Sequence, residues 1–155
     1  MKILLLSTLF VLTTSFTSFK VPIGTLSRDE IVGTWWNAEK DAKIRIFLAK
    51  NDKFSGKIEW MKEPNDAKGN PKLDDKNPNE KLRSNPRLGM VILKNFDLNT
   101  KSKRWEGGTV YDPKSGKLYD GYISFDGNER DKLNLRGYVM GMSWIGKTAV
   151  WEKVK

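Results

Sequence analysis

Histidine and cysteine are both absent from the 155 residues of this chain, and that limits the chemistry it can do. Without imidazole it lacks the commonest general base and metal ligand. Without a thiol it has no disulfide, no thiolate nucleophile and no thiolate zinc site. Carboxylates, lysines, tyrosines and hydroxyls remain. A glycosidase-type acid and base would be drawn from Asp74, Asp75, Glu80, Glu106 and Asp112, and two of them would have to converge within about 5–10 Å. Asp74 and Asp75 are chain neighbours, so on a strand they would face opposite ways. Turn formation is the simpler role for these Asp residues. Asp75-Lys76-Asn77-Pro78-Asn79 has the oxygen-ligand spacing that opens a calcium loop, but Glu80 stands where that loop needs glycine and Pro86 where it needs a closing glutamate. A solvated polar loop accounts for the stretch better. On these grounds no catalytic residue, metal or cofactor is assigned.

Binding residues are easier to nominate. Arg83 offers a planar fork suited to a carboxylate or phosphate, with pinning of its own loop as the alternative. Trp35, Trp60, Trp105 and Trp144 are four of the 6 tryptophans. A small barrel built around them would either fill its interior with side chains or keep room for one small molecule.

The formal net charge of +9 would attract phosphate. The lysines are nevertheless dispersed among Asp, Glu and Asn in nearly every loop, not gathered in one block with interleaved aromatics. A basic, soluble surface is expected, with no nucleic-acid partner and at most a weak attraction to anionic polymers or lipid headgroups. At the N-terminus Lys2 precedes the apolar run ILLLSTLFVL and the hydroxylic TTSFTSF, the order of regions in a secretory signal. The run is too short to span a bilayer. Residues 1–19 are therefore expected to be a signal peptide and residues 20–155 a single domain. That domain is expected to be a monomer exported to the periplasm or beyond, with no transmembrane segment.

The elements that would position these side chains are strands. Arg104 and Phe125 bound two arms rich in aromatic and aliphatic residues, which suit a half-buried pleated surface. The arms meet at Asp112-Pro113-Lys114-Ser115-Gly116, where proline sets φ for a type I turn, Asp112 can accept from the following amides and Gly116 can take positive φ. Alternation places Ile44, Ile46 and Leu48 on one face over 43–48, and Ile58 with Trp60 over 54–61. Further strands are expected over 88–93, 132–139 and 147–154, with a polar turn region at 95–103 and a turn at Gly141 and 143–146. Ser27 and Glu30 have capping-box spacing for one short helix over 27–32. About eight strands with hairpin-length connections imply an all-β chain, a single antiparallel up-and-down barrel, closed so that no edge is exposed. One connection, over 62–82, is too long for a hairpin and rich in Pro, Asn, Asp and Lys; it is the natural lid.

Gly33-Thr34-Trp35 after a short helix resembles the opening G-x-W of lipocalin and avidin-like barrels. In those families the Trp plugs the floor under a basic residue from the last strand, here Lys153, or failing that Arg136. A longer succession resembles the bacterial family known as domain of unknown function 2147. Its pieces are Gly56-x-Ile58-x-Trp60, Asp75-x-Asn77-Pro78, Leu82-Arg83, the block from Trp105 through Gly107-Gly108, Tyr111-Asp112-Pro113 and Gly116 to Tyr119, Arg136-Gly137-Tyr138, and Gly146-x-Thr148-x-x-Trp151. The resemblance implies a lipocalin-like barrel and an envelope location, and carries no reaction. Trp35, Trp60, Arg83, Trp105, Tyr111, Tyr119 and Arg136 are the candidate ligand-binding residues, for a small apolar or amphiphilic molecule. Two readings compete with this one. The first is a carboxylate-based enzyme acting on envelope glycan, and the second a solid-core module whose basic face contacts anionic polymers.

Overall fold

A computed structural model describes residues 26–155; the expected signal peptide lies outside them. Eight antiparallel strands close in sequence order into one barrel. They are β1 (Gly33–Trp36), β2 (Ala42–Leu48), β3 (Phe54–Met61), β4 (Val91–Asn99), β5 (Arg104–Asp112), β6 (Lys117–Asp126), β7 (Glu129–Val139) and β8 (Met142–Lys153). Closure is made by Trp35 of β1 opposite Lys153 of β8. Because the strands run up and down, the chain reverses alternately at two ends. The β2–β3, β4–β5 and β6–β7 turns gather at one end; the β1–β2, β3–β4, β5–β6 and β7–β8 connections gather at the other.

The first end is sealed. A 3-10 turn (Arg28–Ile31) lies under it, and two core tryptophans hydrogen-bond that turn. Trp35 Nε1 donates to the Ile31 carbonyl at 2.9 Å and Trp105 Nε1 to the Arg28 carbonyl at 2.8 Å. Buried indoles need such partners, since an unmet N–H costs about 1–3 kcal/mol. The Lys153 ammonium sits 5.4 Å from the Trp35 ring centre, so the expected basic cover of the floor is present. Arg28 stacks on Phe54 and bridges Asp52 and Asp97, while Lys53 reaches Asp97 at 2.5 Å. Ile44, Ile46, Phe54, Leu93, Phe96 and Ile123 fill the barrel above.

Local departures from the sequence reading have identifiable causes. The N-terminal helix is a single 3-10 turn without a side-chain cap from Ser27. Glu30 turns away to Arg130 at 3.4 Å instead of reaching back. In β3 the register passes from Ile44 opposite Ile58 to Lys43 opposite Trp60, which leaves Glu59 as an extra residue. That bulge reverses the alternation. Trp60 therefore stands on the outer wall, edge-on to Trp36 with Lys43 over both rings. β4 begins at Val91 and runs on to Asn99 by means of a second bulge, where Asn95 takes φ 65°, so the expected 95–103 turn shortens to 100–103. Leu88 stays outside the strand, 46% exposed. The β7–β8 reversal falls at Gly141, φ 77°, as read, but β8 begins at Met142 and runs through 143–146. The turn after Asp112 forms as read, with the Gly116 amide donating to the Asp112 carbonyl at 2.8 Å and the Lys114 amide to its side chain at 2.9 Å.

Of the paired glycines in β5, Gly107 bulges at φ 75° and a Cβ on Gly108 would overlap the Phe96 ring. Replacing Gly108 by Val should cost about 1–3 kcal/mol by overpacking, read as a lower urea midpoint at unchanged m-value. A second test is acid. Hydrogen bonds from Lys53 and then Arg28 hold the Asp97 carboxyl down at about 2. Its stabilisation is therefore complete above the ordinary carboxylate value near 4 and is lost as pH falls through 2. Urea midpoints taken between pH 5 and pH 2 should fall more steeply for the wild type than for Asp97→Asn.

Candidate functional site

The second end is open. A cavity of about 580 Å3 enters the barrel there. Ile44, Ile58, Ile92, Val110, Leu135 and Trp151 line its walls; they are inward positions on strands whose alternation suits a half-buried sheet. Around the rim stand Asp41, Lys62, Lys72, Arg87 and Lys114. Lys114 pairs with Asp41 at 3.0 Å and Lys72 with Glu63 at 3.1 Å. Among the described residues no ion pair engages Lys62. An apolar chamber under a charged rim suits an amphiphile: methylenes gain about 0.8 kcal/mol each from leaving water, and a polar head stays hydrated beside the cations.

The β3–β4 connection, residues 62–90, shapes this entrance. Two isolated bridges, Asn65 with Pro71 and Leu73 with Pro86, fold it on itself. Arg87 extends the fold, donating from Nε to the Leu73 carbonyl at 2.8 Å and pairing with Asp75 at 2.7 Å. One latch ties the connection to the barrel. Asp74, 1% exposed, accepts from Tyr111 Oη at 2.7 Å on one carboxyl oxygen and from Asn77 Nδ2 at 2.6 Å on the other. Burial, and then the bond to Asp74, push the Tyr111 phenol up to about 12. The connection also rests on the β5–β6 turn, where a Cβ at Gly116 would overlap the Lys76 backbone. Beneath it runs a groove of about 550 Å3, lined in part by Pro78, Leu82, Leu88 and Leu118, which shares Ile92 and Tyr111 with the mouth cavity.

The seven nominated residues are not brought together. Tyr111 lines the mouth. Trp35 and Trp105 are fully buried and belong to the floor. Trp60 is outside for the reason given above, and Trp144, considered with it, is 74% exposed. Arg83 staples its own loop, donating to the Asn77 carbonyl at 2.8 Å and pairing with Glu80 at 3.1 Å. Tyr119 pairs with Val110 and lies beside Gly137. Arg136 lies in a separate groove on the outer wall with Arg104, Glu106, Tyr122 and Tyr138. The five carboxylates are dispersed as well. Asp74 serves the latch, Asp75 pairs with Arg87, Glu80 with Arg83 and Glu106 with Arg104, while Asp112 holds its turn. Sequence reasoning missed Arg87, Lys62 and Trp151. Trp151 was within reach, since alternation from Lys153 places Ala149 and Trp151 on the same inward face. Arg87 and Lys62 carry no local signal that separates them from other loop cations.

The latch can be tested by removing one hydroxyl. Tyr111→Phe should cost about 2 kcal/mol, because a buried acceptor loses its donor, and should loosen residues 62–90 in hydrogen exchange. Since the folded phenol titrates above its ordinary value of 10, its stabilisation is complete below pH 10 and is lost as pH rises towards 12. The variant should lack that alkaline loss in urea titrations.

Relatives place the architecture. The family model described as "Uncharacterized protein conserved in bacteria (DUF2147)" matches residues 33–153. Among solved structures, protein HP1028 from the human pathogen Helicobacter pylori, described as belonging to the lipocalin family, aligns with a TM-score of 0.65 at 23% identity. The alignment covers 81% of this chain and 83% of that one. At such identity the likeness shows the fold alone. No curated protein matches the chain.

Proposed function

We propose, from the premise that this chain belongs to the DUF2147 family of uncharacterized bacterial proteins, that its barrel holds one small amphiphilic molecule at the open end. The observation that carries this reading is the cavity of about 580 Å3, apolar on its walls, with Lys62, Lys72, Arg87 and Lys114 set among Glu39, Asp41, Glu63 and Asp112 around it. The apolar part of the ligand lies against Ile58, Ile92, Leu135 and Trp151. Its polar or anionic head meets Lys62 and Arg87 at the rim, where Arg87 replaces the anchor that sequence reasoning gave to Arg83. Tyr111 stands at the junction between this chamber and the groove under residues 62–90, so the latched connection acts as the lid. The lipocalin-type fold supports the reading, since barrels of this size hold one small ligand when they are not filled.

We infer export to the cell envelope, supported by the charged, then apolar, then hydroxylic order of residues 1–19. The glycan-hydrolase reading finds no support in the dispersed carboxylates. The open chamber counts against a solid-core module.

Fluorescence titration with a dansylated fatty acid tests the proposal. Wild type should bind it at a single site. Ala149→Trp, which fills the wall, should weaken binding at least about tenfold, roughly 1.4 kcal/mol. Lys62→Ala, which breaks no ion pair among the described residues, should weaken the acid but leave the matching dansylated alcohol nearly unchanged. Equal binding by wild type and Ala149→Trp would sink the proposal, as would a wild type that takes up neither probe.

A further inference from the structure

The large apolar side chains left in water are unevenly placed. Leu82 (41% exposed) and Leu88 (46%) stand on the β3–β4 connection, and Leu118 (49%) follows the β5–β6 turn. Met140 (61%), Trp144 (74%) and Ile145 (48%) form the end of the β7–β8 hairpin. All six lie on connections or strand ends around the mouth. Leu73 and Val139, less exposed, belong to the same connection and hairpin; Trp60 and Val150 on the outer wall apart, Leu48 is the counterpart at the sealed end among the described residues. Concentrated exposure of this kind marks an interaction surface.

Charge identifies the partner. Lys81 adjoins Leu82, Lys117 adjoins Leu118, and Lys147 follows Ile145 by two positions. None of the three makes an ion pair among the described residues. Of the carboxylates close by, Glu80 is matched with Arg83, while Asp112 stands opposite Lys117 and holds its own turn, and Asp120 accepts from the Gly141 amide. Apolar tips interleaved with unmatched cations supply the two terms that hold a protein on an anionic bilayer. These are burial of Trp, Met, Ile and Leu at the headgroup boundary and about 1 kcal/mol per basic residue near the surface. Tryptophan, apolar with one polar N–H, is the residue that settles at that boundary.

We propose that the mouth end docks on an anionic lipid bilayer, with the hairpin end at 139–146 set among the headgroups. The cavity opens on the same face, so an amphiphile passes between bilayer and barrel without crossing bulk water. This cargo rests on the ligand-binding reading above; the docking itself does not.

Flotation of the full chain with phosphatidylglycerol–phosphatidylcholine vesicles, and with phosphatidylcholine alone, tests it. Wild type should float with the anionic vesicles at low salt, less at high salt, and little with the zwitterionic ones. Met140→Ser/Trp144→Ser, both at exposed positions, should fold and melt as wild type yet partition about tenfold more weakly. Lys117→Glu/Lys147→Glu should bind weakly and lose most of the salt dependence. Brominated lipid should quench wild-type tryptophan emission and quench it much less in Trp144→Ser. The proposal is overturned if wild type stays in the aqueous fraction at low salt, or if the Met140/Trp144 variant floats equally well. Self-association that depends on Trp144 without vesicle binding would assign the surface to a second copy instead. Ala149→Trp separates the two readings: it should float as wild type while failing to take up the dansylated fatty acid. Flotation without uptake by wild type would leave docking standing and remove the ligand.

Discussion

Two indole hydrogen bonds decide which end of this barrel is closed. Trp35 and Trp105 each donate to a carbonyl of the same short turn, Arg28–Ile31, and so draw it across the strand ends. Lys153 covers the first ring, and the charges of Arg28, Lys53 and Asp97 bind the turn to β4 and the β2–β3 loop. An up-and-down barrel has two chemically similar ends. Filling one of them with a satisfied polar plug fixes the interior layers above it and leaves the other free to be a chamber.

The chamber depends on how strand regularity is broken. Extra residues at Glu59, Asn95 and Gly107 each turn a strand about its axis and change which side chain faces in. At Glu59 the consequence is that Trp60 leaves the interior, and the volume it would have filled stays available near Ile58. Glycine does the same by subtraction at Gly108, where the Phe96 ring comes close to the backbone. The entrance is then shaped by a long connection whose polar composition would leave it mobile if it were not held. The buried Asp74 carboxyl, with a partner on each oxygen, supplies that hold.

Asp74, Asp75, Glu80, Glu106 and Asp112 are each matched to a cation or a donor of their own. The mouth joins apolar walls to a rim of charged side chains, of which Lys72, Lys114 and Arg87 are held in ion pairs. Its exposed apolar residues extend that combination outward, from the chamber to the face around it.

Much of this was legible from residue order alone. Strand alternation, hairpin spacing and the single long connection specify an all-β up-and-down barrel, because a period of two with short reversals admits few other solutions. The turn at Asp112–Gly116 follows from local chemistry, and the Lys153 cover of Trp35 from resemblance; both were available before any coordinates. The site was mostly hidden, for a physical reason. A bulge of one residue inverts the facing of everything beyond it without a mark in composition, as with Trp60. Burial likewise selects between adjacent equals: Asp74 and Asp75 are identical in sequence terms, yet one is latched to Tyr111 and the other pairs with Arg87. Arg83 and Arg87 differ only in where a folded loop happens to place them. Local sequence determines strand, turn and period; which side chain meets water, ligand or core is decided by contacts between residues far apart in the chain, and only closure of the barrel brings those together.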